Sequence, residues 1–112
     1  MFDTHILDEA LKARRERMAR EQTEHLDLVR HVLRELREPL GIEAAYIIGS
    51  LKTPNAWHPA SAVDVAARGR SLDVLELMKA LEIATNRDVD VIDLDRHPAA
   101  DTIVRSGLEI YG

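Results

Sequence analysis

The sequence predicts an α/β protein in which a small mixed β-sheet with flanking helices follows one long amino-terminal helix. Two observations predict this class. Residues 8–37 contain neither Gly nor Pro and are rich in helix-forming residues. Beyond Gly41, short apolar segments of strand length alternate with polar turns and one amphipathic helix. The change of pattern near Pro39-Leu40-Gly41 divides the chain into a helix, residues 1–40, and a domain, residues 41–112.

Length and composition restrict the class of protein. A chain of 112 residues forms one domain. Its net charge of -5 argues against a general nucleic-acid binder, whose usual signature is basic. The lack of Cys excludes disulfides and thiolate zinc sites. No apolar run approaches the roughly 18 residues of a membrane span, and no signal-peptide pattern is present. We therefore expect a cytoplasmic protein without a membrane partner.

The second half of the predicted helix is amphipathic, whereas its first half is mostly charged. In the second half, apolar residues recur mostly at three- and four-residue steps: Leu26, Val29, Val32, Leu33, Leu36 and Leu40. Residues 12–25 offer little to bury, so this part is expected to project from the core or to pack against a second copy in a homodimer. Its basic residues are interleaved with Glu9, Glu16 and Glu21, which favours a solvated face over nucleic-acid binding.

The elements of the domain follow in order. Ala44–Ile48 is a buried strand, residues 52–61 form a loop, and Ala62–Ala66 is a second strand. Ser71 is expected to cap a helix that runs to Asn86. Its predicted buried stripe is Leu75, Met78, Leu81 and Ile83 or Ala84.

The carboxyl-terminal part completes the sheet. Val89–Leu94 is the third strand, a short helix begins at Pro98 and ends at Gly107, and Leu108–Tyr111 adds a last strand. The loop before the second strand can join antiparallel neighbours, whereas a helix joins the second and third strands. This mixture predicts a mixed sheet.

Two carboxylates lie in the middle of apolar strands. Asp64 is flanked by Val63 and Val65, and Asp90 is flanked in the same way by valines. Such carboxylates are costly unless their charge is offset, and Mg²⁺ typically binds one or two carboxylates together with phosphate oxygens. The alternative is that both acids point to water from a solvated face. The small turn Gly49-Ser50 favours the metal site, because its backbone can approach a phosphate closely.

The order of these residues resembles a known family. Gly49-Ser50 follows an apolar strand, and a polar loop then leads to Asp64. Asp90 lies on a later strand. In this, residues 41–112 resemble a minimal nucleotidyltransferase domain of the polymerase-beta-like nucleotidyltransferase superfamily. The resemblance implies that Gly49 and Ser50 bind the nucleotide phosphates, and that Asp64 and Asp90 are catalytic and hold Mg²⁺ or Mn²⁺.

The chain departs from the family pattern at two positions. Ala62 stands where the family has the first Asp of an Asp-x-Asp pair, and Pro54 replaces a usual Gly. In the family the paired Asp residues bridge two metal ions, one of which activates the attacking hydroxyl. Three residues are candidates to replace the missing metal ligand. Asp93 is expected to face the opposite side of its strand from Asp90, and Asp88 lies where that strand begins. His58 lies in the loop that is expected to overhang the site. Trp57 is read as a core anchor, with base stacking as the alternative.

Three functional hypotheses follow, two from the resemblance and one from the basic stretch Lys12 to Arg20. The first is Mg-dependent transfer of a nucleoside monophosphate from ATP or another NTP to a hydroxyl, impaired by the vacant position at Ala62. The second is a non-catalytic nucleotide- or partner-binding module, such as the antitoxin of a HEPN-type RNase toxin. The third is a nucleic-acid or oligomerisation protein that acts through the basic helix segment, and it ranks last.

Overall fold

A computed structural model describes residues 4–112. The chain folds as one long helix followed by a four-stranded sheet with two shorter helices. In chain order the helices and strands are α1 (His5–Leu36), β1 (Ala44–Ile48), β2 (Val63–Arg68), α2 (Val74–Thr85), β3 (Val89–Asp93), α3 (Ala100–Ser106) and β4 (Leu108–Tyr111). Two short 3₁₀ helices, Gly49–Lys52 and Leu94–Arg96, follow β1 and β3.

The sheet is mixed, as the sequence predicts. Its strand order is β3-β2-β1-β4. β1 pairs antiparallel with both β2 and β4, whereas β2 and β3, which α2 connects, run parallel. The register sets Ile48 of β1 opposite Asp64 of β2, and Asp64 opposite Asp90 of β3. The two predicted carboxylates are therefore direct neighbours across a parallel strand pair.

Alternation along the strands gives the sheet two different faces. One face carries Val63 and Val65 and packs against α1 and α2, forming the main core. The opposite face carries Tyr46 and Ala66 and packs against α3 and Leu94. Because α3 has only seven residues, it covers only part of this second face. The part that bears Asp64 and Asp90 lies on the same face, where Asp90 is exposed.

Helix α1 combines a core-packing half and a projecting half. Val29 and Leu33 are fully buried in the main core, whereas the side chains of residues 4–17 are exposed. The described chain measures 65 × 27 × 19 Å, with a Cα radius of gyration of 16.6 Å. A compact chain of this length would have a radius of about 13 Å. The predicted projection of residues 12–25 is confirmed for residues 12–17, whereas Glu21, Gln22 and His25 contact the domain. Within residues 4–112 no helix has the length and apolarity to cross a membrane.

Tyr111 joins the end of the sheet to α1. Its hydroxyl donates a hydrogen bond of 2.8 Å to the carbonyl oxygen of Leu33, and the Arg37 guanidinium lies 4.5 Å from the ring centroid. Burial raises the pKa of Tyr111 to about 12, although the nearby Arg37 charge opposes that shift. The neutral phenol is therefore the form that the fold retains.

Helix α2 differs from its prediction in both its cap and its buried face. Asp73, rather than Ser71, is the N-cap, because the Asp73 carboxylate accepts a hydrogen bond from the Glu76 backbone N–H. The fully buried stripe is Leu77 and Leu81, with Thr85 one turn further on. Of the predicted stripe, Leu81 is buried, and Met78 and Ala84 are half-buried. The prediction of Leu75 as buried was wrong, since it is 61% exposed, and of the alternatives Ile83 and Ala84 it is Ile83 that faces solvent. The helix is apolar on more than one face, so periodicity alone did not fix its orientation.

Candidate functional site

The site is built on the adjoining strands β2 and β3. Asp64 and Asp90 occupy matching positions of these parallel strands and project to the same face. The register places the two side chains close enough for the Asp90 charge to act on the Asp64 carboxyl. Asp64 is partly buried, whereas Asp90 is exposed, so the pair opens to solvent on the Asp90 side.

Electrostatics at the pair favour a bound cation. Burial raises the pKa of Asp64, and the neighbouring Asp90 raises it further, through its charge and as an acceptor for the protonated Asp64 carboxyl. Two carboxylates this close repel each other when both are ionised. A divalent cation between them removes that repulsion, and Mg²⁺ accepts such oxygen ligands.

Gly49 lets the turn after β1 approach Asp64. Its φ of +72° lies in the left-handed region that favours glycine. A Cβ atom at this position would overlap the Asp64 carboxylate oxygen and would lie 3.2 Å from the carboxyl carbon. The backbone of Gly49 therefore sits directly against the acidic pair, and Ser50 follows it in the 3₁₀ helix. The structure brings together the predicted Gly49, Asp64 and Asp90.

Gln22 of α1 holds this turn from the other side. Its side-chain nitrogen lies 3.2 Å from the carbonyl oxygen of Ser50, 2.9 Å from that of Leu51 and 3.0 Å from that of Thr53. The Thr53 hydroxyl in turn donates to the carbonyl oxygen of Gly49 at 2.9 Å. These bonds fix the backbone beside Asp64. Sequence reasoning missed Gln22, because no spacing pattern connects it to residues that lie 28 to 31 positions further along the chain.

Ala62 lies one residue before β2, and Arg87 fixes the backbone beside it. The Arg87 guanidinium donates to the carbonyl oxygens of Pro59 and Ser61, each at 3.0 Å, and forms an ion pair with Glu21. It also lies 4.3 Å from the centroid of the Trp57 ring. Arg87 thus ties the loop before β2 to α1. The sequence offered no signal for this role, which depends on contacts distant along the chain.

The other residues considered from sequence lie outside the acidic pair. Trp57 is 3% exposed and packs against the His25 ring at 5.3 Å, so its interpretation as a core anchor is confirmed. His58 is exposed, and its ring nitrogen accepts a hydrogen bond from the Ala60 backbone. Asp93 caps the second 3₁₀ helix by accepting from the Asp95 backbone N–H. Asp88 is exposed at the entry to β3.

The carboxylates of Asp64 and Asp90 are the two charged oxygen ligands that this site offers to a cation. No group of three or more His, Asp or Glu side chains within residues 4–112 is arranged to hold a metal ion. Ala62, immediately before β2, has no side-chain oxygen to add. Water or the oxygens of a bound phosphate would therefore complete the coordination sphere of the cation.

Comparison with solved structures identifies the fold. A toxin–antitoxin complex with AMP-PNP contains a chain that matches with a TM-score of 0.63 and 24% identity, over 74% of this chain and 73% of that chain. The fold is that of a minimal nucleotidyltransferase domain. No family model and no curated protein matches the sequence.

Two further solved structures share this minimal nucleotidyltransferase fold. A toxin–antitoxin complex called MntA–HepT matches with a TM-score of 0.57 and 22% identity, over 77% of this chain and 72% of that chain. A tri-AMPylated HEPN toxin of Shewanella oneidensis in complex with an MNT antitoxin matches at 0.56 and 23%, over 81% and 72%. At these identities the likeness establishes the fold alone.

Proposed function

We propose that this chain is a nucleotide-binding antitoxin module that pairs with a HEPN-type toxin. The proposal is supported by the fold shared with chains of toxin–antitoxin complexes, one of which includes a HEPN toxin and an MNT antitoxin. It is also supported by the AMP-PNP in another of these complexes. The single observation that carries nucleotide binding is the Asp64–Asp90 carboxyl pair beside the glycine turn.

In this proposal Asp64 and Asp90 hold a Mg²⁺ or Mn²⁺ ion, and the turn at Gly49 and Ser50 binds the phosphates of ATP or another NTP. When bound, the cation neutralises phosphate charge and offsets the repulsion between the two carboxylates. Gly49 permits close approach of the backbone, and Gln22 holds that backbone in place. The protein's part is to bind and orient the triphosphate.

Ala62 limits what such a site can catalyse. A methyl group there contributes no charge, so the second metal position that activates an attacking hydroxyl would lack one of its carboxylates. If the loss removes several kcal/mol of charge stabilisation, transfer slows on the order of a thousandfold or more. Binding of a metal–nucleotide complex needs fewer ligands and survives on the remaining pair. This difference favours the binding module over an efficient transferase.

Thermal unfolding with and without Mg–ATP tests the proposed site. A ligand at about 100 times its Kd stabilises the native state by about 2.7 kcal/mol. We expect a rise in Tm with Mg–ATP that is lost in Asp64→Asn and kept in the control Asp101→Asn, an exposed carboxylate on α3. An equal rise in both variants would contradict the assignment of the site.

A second candidate function, nucleotidyl transfer at a reduced rate, is favoured by the intact Asp64–Asp90 pair. Labelled-ATP transfer to proteins of a cell lysate, compared between the present sequence and Ala62→Asp, separates the two functions. Labelling by Ala62→Asp alone would identify a transferase scaffold disabled at one position. Binding of Mg–ATP by both forms without labelling would support the binding module.

Co-expression tests the partner. A HEPN-type protein encoded beside this chain should arrest growth when it is expressed alone, and the present chain should relieve that arrest and co-purify with it. Asp64→Asn then shows whether relief depends on the nucleotide site or on assembly alone. Growth arrest that persists, without co-purification, would contradict the antitoxin proposal.

A further inference from the structure

A cavity lies between residues 14–22 of α1 and the loop that precedes β2. Its volume is about 460 Å³, within the usual range of small-molecule sites of roughly 300–1,000 Å³. Its lining includes none of Gly49, Ser50, Asp64 and Asp90, although Gln22, which holds the turn after β1, contributes to it. Six of the residues that line it are Arg14, Arg15, Met18, Gln22, Asn55 and Trp57.

The charge of this cavity selects for an anion. Arg14 and Arg15 are exposed on successive positions of α1, and neither forms an ion pair with any residue in the range 4–112. Guanidinium groups bind phosphate oxygens through paired hydrogen bonds, which makes adjacent arginines well suited to a phosphate group. Met18 adds an apolar wall, so the cavity has room and surface for more than a bare anion.

Three of the lining residues carry polar groups with unused hydrogen-bonding capacity. Trp57 is 3% exposed, and its indole N–H is buried without an acceptor in the described part of the chain. Buried donors of this kind are normally paired. Gln22 uses its side-chain nitrogen on the turn after β1, which leaves its side-chain oxygen as an acceptor. Asn55 adds an amide that can both donate and accept.

We propose that this cavity binds a nucleoside monophosphate, with its phosphate on Arg14 and Arg15 and its base and sugar against Met18, Asn55 and Trp57. The arginine pair accounts for the phosphate, and the volume, the apolar wall and the unpaired indole N–H account for the rest of the ligand. The inference goes beyond the proposed Mg–nucleotide site, because it uses other residues and requires no metal ion.

The protein carries its own reporter for this binding. Trp57 lines the cavity and is the one Trp of the sequence, so its fluorescence reports directly on occupancy. We would titrate the full chain with AMP in the presence of EDTA, following Trp57 fluorescence and, independently, heat by calorimetry. Adenosine and inorganic phosphate serve as the two halves of the ligand. AMP should bind more tightly than either half.

Two double variants of equal charge locate the site. Arg14→Ala with Arg15→Ala should weaken AMP binding about tenfold or more, since it removes the charged hydrogen bonds to the phosphate. Arg17→Ala with Arg20→Ala removes two charges from the same helix outside the cavity lining, and should change the affinity by no more than about twofold. Circular dichroism checks that both variants keep the helix.

Three results would overturn the proposal. They are the absence of a fluorescence change and of heat with millimolar AMP, equal weakening in both double variants, and binding of inorganic phosphate as tight as that of AMP. The outcome is also distinguishable from that of the proposed function. Asp64→Asn should abolish stabilisation by Mg–ATP and leave metal-free AMP binding unchanged.

Discussion

At the scale of single residues, Gly49 is the position at which the backbone lies directly against the Asp64 carboxylate. Its left-handed conformation would strain any side chain, and a Cβ would in addition overlap the Asp64 carboxylate. We expect Gly49→Ala to destabilise the protein by about 1–2 kcal/mol from backbone strain alone. Displacement of Asp64 should add to this and should remove binding of Mg–ATP.

Gly41 supplies the control for that prediction. It has a similar φ of +62°, but a Cβ there would meet no atom within 4 Å. Gly41→Ala should therefore show the backbone strain without the displacement of Asp64, and it should keep its stabilisation by Mg–ATP. Urea unfolding of both variants, with and without Mg–ATP, measures the two effects separately. Equal retention of Mg–ATP binding in both would contradict the role given to Gly49.

Asp64 makes stability depend on pH. Burial and the Asp90 charge raise the pKa of Asp64 above its ordinary value of 3.8, so the folded state keeps the proton to a higher pH than the unfolded state. As pH rises above 3.8, the unfolded chain loses its proton first, and the free energy of unfolding falls until the folded carboxyl has also ionised. We expect Asp64→Asn to have a higher Tm than the natural sequence at neutral pH.

Thermal unfolding across pH checks this expectation. The difference in Tm should shrink toward zero as pH falls below the ordinary Asp pKa of 3.8, since Asp64 then becomes protonated in both states. Added Mg²⁺ should raise the Tm of the natural sequence at neutral pH and leave that of Asp64→Asn unchanged. A lower Tm for Asp64→Asn at neutral pH would show that the carboxylate stabilises the fold, contrary to this argument.

At the scale of elements, α1 acts on the site through Gln22. Replacement of Gln22 by Leu removes the side-chain amide that donates to three carbonyl oxygens of the turn after β1. We expect Gln22→Leu to lower the free energy of unfolding by about 1–2 kcal/mol. Hydrogen exchange of the Thr53 amide, which is bonded to the carbonyl oxygen of Ser50, should become faster.

Thr23 is the matched position for this test. Its hydroxyl bonds only to the carbonyl oxygen of Ala19 one turn back on α1. Thr23→Ala should change the free energy of unfolding by no more than about 0.5 kcal/mol, because the position is an exposed helix surface. If the two variants proved equally stable, with unchanged exchange at Thr53, α1 would not hold the turn in solution.

The sequence predicted elements whose signals are local and missed what depends on tertiary contacts. The strand Ala44–Ile48 has the predicted bounds, since an apolar run between polar flanks defines it. The alternation of side chains along each strand likewise separates Asp64 and Asp90 from the flanking valines. Only the parallel register of β2 and β3 shows that the two carboxylates are neighbours. Gln22 and Arg87 act across long separations along the chain, and no periodic pattern encodes such contacts.

At the scale of the whole molecule, the projecting half of α1 gives the protein its elongated shape. Beyond the core-packing residues, apolar side chains continue along the helix into solvent: Ile6 is 71% exposed, Leu7 50% and Leu11 48%. Leu7 and Leu11 lie four residues apart, so they share one side of the helix. An exposed apolar strip on a charged helix is typical of a surface that packs against another helix. This is the physical basis for expecting a homodimer.

The prediction of a homodimer is tested by two pairs of substitutions that remove equal numbers of exposed apolar residues. Leu7→Glu with Leu11→Glu should convert the dimer to a monomer in sedimentation velocity, because the glutamates would oppose each other across the packed helices. Leu75→Glu with Ile83→Glu, on the exposed side of α2, should remain dimeric. A monomeric natural sequence would contradict the prediction of a dimer. Dissociation by the α2 pair alone would move the interface to that helix and leave the projecting half of α1 free for the partner protein.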